Sequence, residues 1–187
     1  MIALDTLVRL CRPPADPPPA VDWARAESAL GTALPADYKR LVETYGDGVF
    51  DETIWLLVPD SAHDDCDLHA QTAEREEILA GLWKFEERPA GLREAGARVL
   101  PWAFEEGTGA FLYWLVRPGR HPDAWTVLHH EGRGPLWEHH ETGCLAFLLA
   151  VLTGTAETEY FGHLREAPKQ AEHLFETAGR ALGATGR

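Results

Sequence analysis

Between Trp23 and Phe50 the apolar residues first recur at helical spacing, then give way to glycine and a short β-favouring run. Trp23, Ala26 and Leu30 stand at i, i+3 and i+7, which predicts a short helix that Gly31 can end in the left-handed conformation. Pro35 stands where a second helix would begin, with its φ preset and no N–H to leave unpaired. Asp37 puts a negative charge in that first turn. Tyr38, Leu41, Val42 and Tyr45 complete an i, i+3, i+4, i+7 stripe before Gly46 stops the helix, and Val49-Phe50 opens a strand. Ile54 to Val58 is apolar without interruption and ends at Pro59, the pattern of a strand covered on both faces.

The same pattern extends to both ends of the chain. Residues 2–10 read as a helix with Ile2, Leu4, Leu7, Val8 and Leu10 partly on one side. Pro13 to Pro19 holds five prolines in seven residues and reads as a stiff, extended spacer. A helix over about 70–88, capped by Asp60 or Ser61, would bury Ile78, Leu79, Leu82 and Phe85. A meander follows in four runs: Arg98–Phe104, Ala110–Val116, Ala124–His130 and Leu136–His139. The stretches between them are turn-rich, with glycines flanking Arg133 as in a two-residue hairpin loop. Cys144 to Leu152 is apolar nearly all round, as for a buried helix ending at Gly154. Ala171, Leu174, Phe175, Ala178 and Leu182 form an amphipathic helical stripe in the tail. These elements predict an α+β fold, a mostly antiparallel sheet of about four to six strands with helices packed on one side. Residues 1–20 would be a helix and spacer, 21–155 the domain, and 156–187 a C-terminal extension.

The order Trp23, Leu30-Gly31, Leu34-Pro35, Asp37-Tyr38-Lys39, Leu41, Tyr45-Gly46, Gly48-Val49-Phe50 resembles the opening of the SUKH superfamily. That family comprises the domain of the Smi/Knr cell-wall-synthesis regulators and of many bacterial immunity proteins. The resemblance is sharpest over about residues 20–60 and looser to about residue 155. None of the motif residues is chemical, so the resemblance implies a fold and a binding role rather than an activity. It also implies that Glu105 to Gly109 is the polar, glycine-bearing turn that precedes the middle strands in this family.

Charge narrows the class of partner. The chain of 187 residues is 45% hydrophobic with a net charge of −13, enough for one sizeable core and unlike a disordered segment. From Leu41 to Glu74 there are nine carboxylates and no Lys or Arg. Such a surface repels nucleic acid and anionic lipid and attracts basic proteins. The longest apolar run, Cys144–Leu152, is too short for the roughly 20 residues of a membrane span. Met1 to Asp5 lacks the basic start of a secretory signal, and Cys11, Cys66 and Cys144 are odd in number and widely spaced. Both features suit a reducing cytoplasm.

Candidate chemistry is sparse. His129-His130 and His139-His140 fall in adjacent strands, where neighbours point to opposite faces. With a two-residue turn at Gly132-Arg133, His139 would oppose Thr126 and His129 would oppose Leu136, too far apart to share a zinc ion. Histidines on a polar sheet face or edge are the simpler expectation. The two serines, Ser28 and Ser61, lie in no nucleophile elbow, and Gly107-Thr108-Gly109 lacks the rest of a phosphate-binding loop. Asp65 and Asp67 disfavour a thiolate at Cys66, and Cys144 reads as a small hydrophobe. Most of the seven tryptophans should be core, and any facing outward beside the acidic run would anchor a partner.

The expectation is therefore a non-enzymatic protein with no cofactor, no metal site and no catalytic residue. The resemblance implies an immunity protein that masks a basic toxin domain, such as a nuclease, through an acidic surface. Asp47, Asp51, Glu52, Asp64, Asp65, Glu105 and Glu106 are the candidate partner-binding residues. A Smi/Knr-like adaptor without a toxin partner is the alternative, and a metal enzyme built on the histidine hairpin a lower one.

Overall fold

A computed structural model describes residues 2–159 and 173–184. The helices are α1 (Ile2–Leu10), α2 (Trp23–Leu30), α3 (Ala36–Tyr45), α4 (Leu68–Leu82), α5 (Cys144–Leu152) and α6 (Ala178–Ala184). The strands are β1 (Gly48–Phe50), β2 (Ile54–Leu56), β3 (Arg98–Glu105), β4 (Phe111–Val116), β5 (Thr126–His130), β6 (Trp137–His140) and β7 (Phe175–Thr177). All pair antiparallel in one seven-stranded sheet of order β6-β5-β4-β3-β2-β1-β7, so the fold is α+β with more strands than the pattern predicts.

The first helices end for the reasons visible in the sequence. Gly31 adopts φ 66° and ψ 20°, and its N–H and that of Thr32 return to the carbonyls of Ser28 and Glu27. Asp22 caps the start of α2 by accepting from the Arg25 N–H at 3.0 Å. Gly46, at φ 73°, turns the chain out of α3 into β1. The α3 stripe is buried throughout. Tyr38 meets Trp114 edge-to-face at 4.7 Å, and its hydroxyl donates to the Leu57 carbonyl at 2.5 Å.

Helices cover both sheet faces rather than one. The face carrying Phe50, Ile54, Leu112 and Trp114 is packed by α1, α3 and α5. On the opposite face, α4 lays Arg75 over the Phe111 ring at 4.3 Å, and Trp83 stacks on Trp137 at 5.7 Å. The cause is that β1, β2 and β4 are apolar on both sides, so a single helical layer would leave one face wet.

Three expectations need correction. Helix α4 is capped by Asp67, which accepts from the Ala70 N–H at 2.7 Å, and it ends at Leu82. Its buried residues are Leu68, Gln71, Thr72 and Leu79, while Ile78 is exposed and Phe85 is 90% exposed. Polar side chains can take the inner face because they find partners there: Thr72 donates to the Leu68 carbonyl and Gln71 to that of Asp64. In the tail, Leu174 is exposed and Phe175 begins β7, so the stripe is strand and then helix; Ala171 lies outside the described residues. Residues 1–20 and 173–184 meet the same core. Leu7 and Cys11 are fully buried, the Tyr45 hydroxyl donates to the Cys11 carbonyl at 2.6 Å, and Cys11 forms a bridge with His173.

The hairpin register is the third correction. Leu128 faces His139 and His129 faces Glu138, because six residues separate β5 from β6 and Glu131 opposite Leu136 leaves a four-residue tip, where the glycines suggest two. Glu131 closes it: its N–H donates to the Leu136 carbonyl and its carboxylate accepts from the Leu136 N–H at 3.0 Å.

Candidate partner-binding groove

Strands β2, β3 and β4 place three aromatic rings in one row, because Trp55 faces Phe104 and Phe104 faces Phe111 in the register. Trp55 and Phe104 lie parallel within 3° at 5.9 Å, and Phe104 and Phe111 are 5.6 Å apart. Helix α4 covers one end of this row and α6 the other. The gap between them is a groove of about 350 Å³, floored by the three rings and walled by Asp65, Cys66, Gln71, Glu74, Glu106 and Leu182.

The groove is electronegative. Burial, and then the charges of Asp47, Asp65 and Glu106, push the Cys66 thiol up to about 12. That thiol is inert at neutral pH, as are Cys11, raised to about 12 by burial and Asp51, and Cys144, raised by burial and Asp37. Asp65 and Glu106 are exposed on the rim, and among the described residues neither has an ion-pair partner. Glu106 is fixed in place by the Trp55 indole N–H, which donates to Oε2 at 2.5 Å.

The acidic run from 41 to 74 does not act as one patch. Asp64 and Asp65 stand in the 3₁₀ turn at 64–66 beside the groove, and Asp47 accepts from the Ser61 hydroxyl nearby. Asp51 instead accepts from His173 Nδ1 at 2.7 Å and from the Leu174 N–H at 2.8 Å, so it pins the tail and does not belong to the exposed surface. Glu43 accepts from the Trp23 indole, Asp60 pairs with Arg25, Asp67 caps α4 and Glu74 pairs with Arg75. Glu52 is exposed at the β1–β2 turn and is not among the residues that line the groove.

Glu105 and Glu106 part company because strand neighbours point to opposite faces. Glu106 joins the groove, whereas Glu105 is 2% exposed and meets His129 Nε2 at 2.9 Å on the α5 side of the sheet. Glu105 therefore leaves the partner-binding set. His129 and His130 are both buried, which corrects the polar-face expectation. His130 stacks on Trp137 at 4.1 Å, and its Nε2–H donates to the Gly134 carbonyl. His139 contacts the Thr126 hydroxyl at 2.8 Å and His140 lies against Phe147 at 4.6 Å. Among the described residues, no three His, Cys, Asp or Glu side chains are arranged to hold a metal ion.

Two predictions arise here. Asp51 and Glu52 both sit at positive φ, 48° and 55°, in the tight turn closed by the Thr53 N–H on the Phe50 carbonyl. Left-handed backbone costs a non-glycine residue about 1–2 kcal/mol, partly offset by glycine's greater chain entropy. Glu52→Gly should therefore stabilise the protein by about 0.5–1 kcal/mol, read as a higher urea midpoint with unchanged slope. Burial also pushes His130 and His140 below their ordinary value of 6.5. The unfolded chain then binds more protons than the native one as the pH falls through 6.5. The stability these neutral rings contribute is complete above that pH and is lost as the pH drops through their lower folded values. Thermal melts from pH 7.5 to pH 5 should show a falling Tm, with less fall in His130→Phe.

No family model, no curated protein and no solved structure matches the chain. No helix among the described residues is long and apolar enough to cross a membrane.

Proposed function

We propose that the protein is a non-enzymatic binding protein that masks a basic protein partner, in the manner of an immunity protein covering a toxin domain. The observation that carries this is the groove itself. Exposed carboxylates at Asp65 and Glu106 border an aromatic floor, and Asp64 is exposed in the adjoining turn. Aromatic anchors within an acidic rim are what a basic partner needs for both affinity and speed, since charge steers the encounter and buried rings hold it. A nuclease toxin is the natural case, because a surface that binds phosphates is positive and an acidic protein can occupy it. The resemblance of residues 20–60 to SUKH domains supports the same assignment, and three buried free cysteines suit action in the cytoplasm.

The test is capture of the partner from lysate of the source cells at about 50 mM and about 500 mM salt. Strong retention of one basic protein at low salt, lost at high salt, supports the proposal. Retention of several exchangeable partners favours a Smi/Knr-like adaptor. Retention of an acidic or neutral partner without salt dependence overturns the acidic-surface mechanism.

A further inference from the structure

We infer that the groove between α4 and α6 is a seat for an arginine side chain of the partner, an inference that rests on the binding role proposed above. The floor offers the half-buried Phe104 ring, set between the buried Trp55 and Phe111, at the place where the rim supplies carboxylates, from Asp65 and Glu106. That combination selects a cation over an apolar or anionic group, because the ring quadrupole and the carboxylates attract the same charge. Glu106 is oriented for it. Its Oε2 is held by the Trp55 indole, while Oε1 has no partner among the described residues.

The chain already makes the same contact once with its own side chain. Arg75 of α4 holds its guanidinium 4.3 Å over the Phe111 ring and pairs with Glu74 at 2.6 Å. An incoming arginine would repeat that geometry one ring along, on Phe104, with Glu106 or Asp65 in the role of Glu74. Arginine fits better than lysine for a physical reason. A planar, weakly hydrated guanidinium can stack on a ring and offer a fork of N–H donors to a carboxylate, whereas a compact ammonium keeps its water.

The experiment uses the full chain and the capped peptide Gly-Ser-Arg-Ser-Gly, with lysine and citrulline versions as competitors, at about 50 mM salt. Binding is read from the NMR shift of the Trp55 indole N–H, the proton bonded to Glu106. The arginine peptide should bind about threefold or more tightly than the lysine one and at least about tenfold more tightly than the neutral citrulline one. Phe104→Leu and Asp65→Asn should each weaken the arginine peptide by about fivefold, and unchanged melting curves would show that these variants fold. Equal binding of all three peptides, no dependence on Phe104, or shifts confined to residues outside the groove would overturn the arginine seat.

The two ideas fail separately. Ring-independent binding of the peptides, with partner capture still abolished by reversal of the rim charges, removes the arginine seat and leaves the acidic-surface role. Ring-dependent binding of arginine, with partner capture untouched by that reversal, does the opposite.

Discussion

Replacing His129 by alanine should destabilise the protein by about 3–5 kcal/mol, and Glu105→Ala should do the same. The two side chains are 0% and 1% exposed and meet at 2.9 Å across the sheet, one from β5 and one from β3, with β4 between them. They are in contact where water does not reach, and the Thr108 hydroxyl donates to the Glu105 carboxylate at 3.2 Å. Taking one away removes that buried polar contact and leaves the other group's desolvation offset by fewer partners. In a chain of this size the loss corresponds to a fall in Tm of roughly 10 °C. The double variant Glu105→Ala/His129→Ala removes both groups and should recover about 1–3 kcal/mol relative to the sum of the singles. Urea unfolding of the four proteins closes the cycle. Single losses below about 1 kcal/mol would mean that the pair is solvated in solution.

Reversing Asp64, Asp65 and Glu106 to lysine should weaken partner capture by at least about 100-fold while the fold survives. The three carboxylates are exposed, and only Glu106 makes a bond that its removal breaks, the one from the Trp55 indole. The expected stability cost is about 1 kcal/mol, a few degrees of Tm. The loss of affinity is larger because three charges change sign, a net shift of about six units, where a basic partner would arrive, which removes steering and adds repulsion. Asp51 belongs outside this set. Asp51→Lys would unpin His173 and Leu174, so any loss of capture would be confounded with release of β7. Surface plasmon resonance with the captured partner separates the effects. The association rate should fall most at low salt, and the difference should narrow as salt rises.

The fold was legible wherever its determinants are local. Gly31 and Gly46 end their helices by left-handed backbone conformations that few other residues adopt, and the long apolar runs of β3 and β4 admit few alternatives. Non-local choices were not legible. Leu174, Phe175, Ala178 and Leu182 carry helical spacing, yet the open edge of β1 and the Asp51–His173 contact recruit Phe175 into a strand.

The site divides along the same line. Acidity around Asp64, Asp65 and Glu106 could be read directly from the chain, but Trp55, Phe104 and Phe111 meet only through the register of three strands. One signal was available: each of these aromatics lies in a strand next to residues of the opposite face, so a row was one register choice away. The Glu105–His129 pair stayed hidden for a related reason. It meets across β4, through the β3–β4 and β4–β5 registers together, and no local spacing in the chain sets either one.

The central claim is that a basic partner sits in the groove between α4 and α6, and hydrogen–deuterium exchange of the free protein and the purified complex tests it most directly. Slowed exchange should fall on the segments around Trp55, residues 64–74, Phe104 to Phe111, and α6. Unchanged exchange there, with protection instead around the exposed Phe85 or along α1, would contradict it.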